Sequence, residues 1–278
     1  YPCSSGRLAG RRFMQHSEFR SYRELVSAGR KPVKSAGLLP PDFAACGELA
    51  GQIYRPMRIF PGRVAAAAPA AFRERVETAV RSGAEHWAER GFLTIAFDPS
   101  FTGESGGEPR WAEIPSEHVE DIRCVVDYLS NHPEVDADKI GALGICAGGG
   151  YTIAAAATDC RVKAVAGVST YDVGDAARAG LKDVWPTTDE GMRAMLADIA
   201  EQRTKEARGE EPKITKLLPA QTPPADAPQF LRGAFDYYNT ARGGHPNATG
   251  SLRYTSTPRQ LEFFPFAMIE YISPRPLR

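Results

Sequence analysis

In the segment Gly144-Ile145-Cys146-Ala147-Gly148, a thiol is flanked by glycines two residues away on each side. An apolar run precedes the segment and a small-residue run follows it. This is the G-x-nucleophile-x-G pattern, with Cys where Ser is commoner. A nucleophile carried on a sharp strand-to-helix turn presses both flanking positions against neighbouring backbone, so neither has room for a side chain. A thiol at the first turn of a helix meets unpaired N–H groups and a positive dipole end, which are expected to lower its pKa. The N–H of Ala147 is expected to point where an oxyanion would form. Such a group attacks an acyl carbonyl and holds the acyl group as a covalent intermediate. The plainer alternative is a buried cysteine in a glycine-rich turn without chemistry. A strand before and a helix after favour the nucleophile. A phosphate-cradling loop is excluded, because G-x-x-x-x-G-K-[ST] is absent and Gly144, Gly148, Gly149 and Gly150 do not fit G-x-G-x-x-G.

The elements that must position this thiol are legible from residue 71 onward. Residues 71–90 can be helical, with Gly91 where a helix C-terminus favours positive φ. Phe92 to Phe97 reads as a strand buried on both faces. A Gly-rich loop follows, in which Glu104 and Arg110 are candidate substrate contacts, with solvated charge as the default reading. Ser116 opens a helix with Glu117, Glu120 and Asp121 in its first turn and Val119, Ile122, Val125, Val126 and Leu129 on one face. Asn131-His132-Pro133 stops it. Ile140 to Ile145 and Val162 to Val168 are two more strands, with a helix at Tyr151 to Thr158 between them. Strand and helix alternating in this way mark a parallel α/β sheet.

Beyond Asp172 the pattern turns helical, with Met192, Met195, Leu196 and Ile199 striping one helix and Phe230, Leu231, Ala234, Phe235 and Tyr238 another. This block reads as a cap inserted beside the sheet. Its aromatics Trp185, Phe235, Tyr237, Tyr238, Phe263, Phe264 and Phe266 could line an acyl pocket, although the cap's own core is the better reading for most. His118 and His132 are expected to be solvated, on and just after a surface helix. His16 and His86 offer nothing beyond polarity. Residues 1–70 show no legible strand, and Ala65 to Ala68 has helix propensity without an amphipathic face.

Composition narrows the function classes. The 278 residues are 42% apolar and 24% charged, as in a folded globular protein. No apolar run approaches the roughly 20 residues that span a bilayer. Lys and Arg number 34 against 34 Asp and Glu, so no global charge recommends nucleic acid or an anionic membrane as partner. The balance is uneven along the chain, with 15 Lys/Arg and 8 Asp/Glu in residues 1–90 and the opposite excess thereafter. Cys3, Cys46, Cys124, Cys146 and Cys160 form no CxxC pair and no zinc spacing, and suit a reducing cytoplasm better than a disulfide scaffold. Asn247-Ala248-Thr249 fits a glycosylation acceptor, a triplet common by chance. The chain opens at Tyr1 without a charged-then-apolar leader, so a processed start and a cytoplasmic location are expected.

The run Val135 to Tyr151 (VDADKIGALGICAGGGY) resembles the nucleophile region of α/β-hydrolases, and most closely their dienelactone-hydrolase-like branch, which includes polyketide transferases. Ala88 to Phe92, Phe97-Asp98, Gly103 to Arg110 and Ile272 to Leu277 are similar to the same branch. The resemblance implies a mostly parallel sheet with helices on both faces and an inserted helical cap, incomplete at both ends. It divides the chain into an atypical basic segment (1–70), a hydrolase core (71–172), a cap (173–265) and the start of the next core strand (266–278). It carries only the nucleophile over, onto Cys146. The acid and histidine of the family are expected beyond Arg278, with Asp172 and His245 as weaker substitutes that the plainer reading makes a strand-end and a loop residue. The loop that supplies a second oxyanion N–H is not recognisable before Ala71. The implied function is hydrolysis of an ester, lactone or thioester through an acyl-enzyme, on a small-molecule substrate and without metal or organic cofactor. The alternatives are an acyl or polyketide transferase and a truncated, inert homologue. The basic excess of residues 1–90 is then expected to reflect a stretch that does not match the fold, such as a shifted frame or wrong start, rather than a nucleic-acid tail.

Overall fold

The computed structural model describes residues 33–35, 51–55, 64–67, 87–88, 90–103, 105–181, 185–216, 221–242 and 250–278. Six strands form the main sheet: β1 (Val33–Ser35), β2 (Gly51–Arg55), β3 (Val64–Ala67), β4 (Leu93–Phe97), β5 (Ile140–Ile145) and β6 (Ala164–Val168). Their spatial order is β1-β2-β4-β3-β5-β6. β1 runs antiparallel to β2, and β2 antiparallel to β4. From β4 through β3 and β5 to β6 the strands are parallel.

The reading of residues 1–70 is corrected here, since three of the six strands come from that stretch. The helix-prone alanine run is instead β3, held on both sides, with Ala66 opposite Ile95 of β4 and Ala142 of β5. Alanine has little intrinsic preference for a strand, and pairing on both edges overrides its helical propensity. Leu93, Ile95 and Phe97 of β4 are buried, as are Ile140 and Ala142 of β5, as expected for strands at the centre of a layered sheet.

Two helices cover β5 and β6 and pack on each other: α1 (Pro115–Asn131) and α2 (Ala147–Thr158). α1 begins one residue before the expected Ser116, at a Pro whose missing N–H costs nothing at a helix start. Val119, Ile122, Val125, Val126 and Leu129 are all buried, each worth about 1.5–3 kcal/mol at most. The helix ends where the His132 N–H donates to the Leu129 carbonyl, just before Pro133. Gly91 takes φ +90°, the conformation expected of it. Cys124 corrects the expectation of unpaired thiols: it is disulfide-bonded, while Cys146 and Cys160 form no disulfide. Sequence spacing does not reveal pairs that the fold brings together.

The rest comprises α3 (Val173–Ala179), the strand pair β7 (Gly180–Leu181) and β8 (Trp185–Pro186), α4 (Asp189–Ala207), β9 (Ile214–Lys216), α5 (Gln229–Tyr238), β10 (Ser251–Arg253) and α6 (Thr257–Leu261). β9 and β10 pair antiparallel. Ile199 is the single buried residue of α4, and α5 has none. Of the aromatics there, Phe230, Phe264 and Phe266 are exposed, Phe235, Tyr237 and Tyr238 are half-buried, and Phe263 packs against the main core. The last residues return to the sheet, where Leu277 forms a parallel bridge with Val165 of β6. Among the described residues no helix is long and apolar enough to cross a membrane.

Candidate active site

Cys146 stands at the turn between β5 and α2, with φ +59° and ψ −125°. That backbone conformation is strained for a residue with a Cβ and is held by its surroundings. The Cys146 N–H donates to the Val168 carbonyl of β6 (2.9 Å), and its own carbonyl accepts from the N–H groups of Gly149 (3.0 Å) and Tyr171 (2.9 Å). A methyl group on Gly144 would lie 2.3 Å from the Gly148 carbonyl oxygen, so the tight reversal requires glycine at that position.

The thiol is half-buried. Burial raises its pKa above the ordinary 9.0, and the Ala147 N–H opposes this only in part. The expectation of a depressed thiol pKa is thereby corrected: loss of water around the thiolate outweighs the helix start. Among the described residues no imidazole or carboxylate is hydrogen-bonded to the sulfur. Tyr171, at the C-terminal end of β6, is a neighbour that sequence reasoning missed. Burial, then the nearby charges of Cys146, Asp172, Asp175 and Glu113, push its phenol to about 12, so it stays protonated. Its signal was its position, since the carboxyl ends of parallel strands are where such sheets place their ligands.

The other candidates divide clearly. Asp172 caps α3, its Oδ1 accepting from the Asp175 N–H (2.8 Å), as the plainer reading had it. His245 and Glu104 lie outside the described residues. Arg110 turns inward on its own loop, donating to the carbonyls of Ser105 (2.5 Å) and Gly103 (2.8 Å), and so braces the segment after β4.

His118 and His132 are corrected. His132 is largely covered, its Nδ1 accepting from the Glu134 N–H (3.2 Å), and its ring rests on Tyr128. His118 is 1% exposed, with Nε2 3.5 Å from Glu113 Oε1 and Nδ1 3.6 Å from Asp121 Oδ2. Glu113 also accepts from the Tyr151 hydroxyl of α2, and Asp121 from the N–H and hydroxyl of Ser100 (2.9 and 2.7 Å). Tyr151 in turn packs between His118 and Phe263. A polar cluster thus lies beneath the nucleophile helix, on a face of α1 where His118, Asp121 and Ile122 are all buried. The period of α1 pointed only to its apolar residues; Glu113 and Asp121 are near His118 in sequence, whereas Tyr151, whose ring lies against it, comes from the next helix.

The chain resembles several known proteins. Over 202 residues it is 40% identical to the uncharacterized protein PA2218 of Pseudomonas aeruginosa, a match covering 70% of this chain and 52% of that one. It is 25% identical over 208 residues to the thiohydrolase aneE of Aspergillus aculeatus, covering 73% and 63%. The chain thus spans about half to three fifths of the length of these relatives. The crystal structure of PA2218 superposes with a TM-score of 0.77 at 34% identity, covering 89% of this chain and 75% of that one. The α/β hydrolase GrgF of Penicillium sp. sh18 superposes at 0.67 with 22% identity, covering 89% and 78%, a likeness of fold. The family model described as X-Pro dipeptidyl-peptidase (S15 family) matches residues 48–231, a span running from β2 through the Cys146 turn into α5. On that match, the strand order and the fold shared with GrgF, the chain belongs to the S15 family of α/β-hydrolases.

Proposed function

We propose that this chain carries the nucleophile of an acyl-transfer enzyme that acts on a thioester, ester or lactone through Cys146. The observation that carries the reading is the φ +59° backbone at Cys146, between a central parallel strand and a glycine-rich helix start. Such strain is stable only where the surrounding structure over-determines it, and a nucleophile presented clear of its own helix is a use for it. Sulfur attacks the acyl carbon, the S–C bond forms, and the bond to the leaving oxygen or sulfur breaks. The thiol proton passes overall to the leaving group, and the Ala147 N–H steadies the oxyanion. Water or another acceptor then takes the acyl group and returns the thiol. The likeness to the thiohydrolase aneE supports a thioester among these substrates.

A second reading, an inert homologue that binds without turnover, is favoured by one observation. The thiol's pKa is raised, and no described base is hydrogen-bonded to it. Incubation with a p-nitrophenyl ester and an acyl thioester separates the two, comparing the protein with its Cys146→Ala and Cys146→Ser variants. The enzyme reading expects turnover that falls by about 10⁴-fold or more in Cys146→Ala, the scale at which nucleophile removal acts. It also expects an acyl adduct on Cys146 by mass spectrometry. Equal, near-zero turnover in all three proteins, with no adduct, leaves the inert reading standing.

A further inference from the structure

A cavity of about 300 Å³, without Cys146 in its lining, lies where the C-terminal half of α4 meets the segment before α1 and the β10–α6 connection. Its charged walls are Arg203 and Glu206 of α4, Arg253 of β10 and Arg259 of α6, with Thr255 and Ser256 between them. Glu206 is already committed. Its carboxylate accepts from Gln202 (3.2 Å), from Thr255 (3.2 Å) and from the Arg253 guanidinium, with which it forms an ion pair. Arg203 and Arg259 are different. Both line the same cavity, and neither has a hydrogen-bond or ion-pair partner among the described residues. Three guanidinium groups against one carboxylate leave the cavity with two uncompensated positive charges.

Two arginines that line one concavity, neither paired among the described residues, are matched by an acceptor of high charge with oxygens on several sides. Phosphate satisfies this better than a monocarboxylate, because each fork can take two oxygens of a tetrahedral dianion. The volume exceeds that of a bare oxyanion and leaves room for a substituent on it. The hydroxyls of Thr255 and Ser256 are short polar groups on the same wall.

We propose that this cavity is a phosphate-binding site, taking either free phosphate or the phosphate of an ester, with Arg203 and Arg259 as its principal ligands. Cys146 is not part of its lining, so the site is separate from the acyl chemistry proposed above. The Ser256 hydroxyl accepts from the Glu113 N–H (3.1 Å), and Glu113 holds the Tyr151 hydroxyl, so the cavity wall adjoins the cluster under the nucleophile helix.

Titration calorimetry at low ionic strength tests this, with inorganic phosphate, phenyl phosphate and acetate as separate probes. The proteins are the full chain, Arg203→Gln, Arg259→Gln, and Arg193→Gln as a charge-matched control on α4 outside the cavity. Both phosphates should bind the unaltered chain. Each cavity substitution should weaken them about tenfold or more, with Arg193→Gln within about twofold of the parent. Tighter binding of phenyl phosphate would identify an ester-borne phosphate as the ligand, and tighter binding of inorganic phosphate the free anion. The proposal is overturned if neither phosphate binds, if acetate binds as tightly as phosphate, or if Arg193→Gln weakens binding as much as the cavity variants. Arg203 and Arg259 are exposed and sit on different elements, so melting curves on the same samples exclude misfolding as the cause.

Discussion

At Cys146 two influences of opposite sign meet in one side chain. The helix start offers the Ala147 N–H to the sulfur, whereas the half-buried position strips water from the thiolate, and burial prevails. The raised pKa means that the resting group is a neutral thiol at pH 7, and that its thiolate fraction grows as pH rises. Alkylation by iodoacetamide, followed at Cys146 by peptide-resolved mass spectrometry, should quicken about tenfold per pH unit from pH 7 and show no plateau below 9.0. Exposed Cys160 supplies an internal comparison and should react ahead of Cys146 at pH 7. A plateau near pH 7 would mean that a cation or base outside the described residues activates the thiol. A substitution at Gly144 has a different basis. Gly144→Ala puts a methyl group against backbone that has no flexible end to yield, and should cost about 1–3 kcal/mol of stability, read as a lower denaturation midpoint.

The elements around the site are joined by polar contacts as well as apolar ones. α1 and α2 share the core through Val119, Ile122, Val126, Tyr151 and Ala155, yet Glu113, His118 and Asp121, on or just before α1, are all at least 95% buried, the first two against Tyr151. Buried ionisable groups are tolerated where each finds a partner, and removing one partner costs more than the contact itself is worth. Tyr151→Phe keeps the ring against His118 and Phe263 but deprives the Glu113 carboxylate of a hydroxyl donor. The expected loss is about 1–3 kcal/mol in urea denaturation, with an unchanged slope. An unaltered midpoint would show that the hydroxyl is readily replaced by water and that the cluster does not join the two helices.

At the scale of the whole molecule, the sheet takes strands from widely separated parts of the chain. β1 to β3 come from a stretch without strand-like patterning, and the last residues dock beside β6. Arg275 secures that docking by donating to four carbonyls: Asp159 (2.9 Å), Val162 (2.8 Å), Tyr271 (3.0 Å) and Ile272 (3.2 Å). The Val165 N–H then reaches Pro276, and the Gly167 N–H reaches Arg278. Arg275→Gln should cost about 1–3 kcal/mol and speed amide exchange at Val165 and Gly167 more than at Ile95 in the sheet centre. Uniform exchange across β4 and β6 would show that the final segment docks without this clamp.

The residues that announce the fold are those whose neighbours in sequence are also their neighbours in space. The β5–Cys146–α2 turn, the buried runs of β4 and β5 and the apolar face of α1 are local patterns of period 2 or 3.6, and glycine spacing at the turn reports a steric demand within five residues. These alone determined an α/β sheet and the position of its candidate nucleophile. The tertiary structure decided what depends on distant partners. An alanine run became β3 because strands on both sides paired with it. His118 went inside because Tyr151 of α2 was brought against it and against Glu113. The Cys146 thiol became a weaker acid because packing removed its water. The cavity lined by Arg203, Arg253 and Arg259 exists only because α4, β10 and α6 converge there. Burial and long-range pairing set these outcomes, and neither is written in the spacing of residues along the chain.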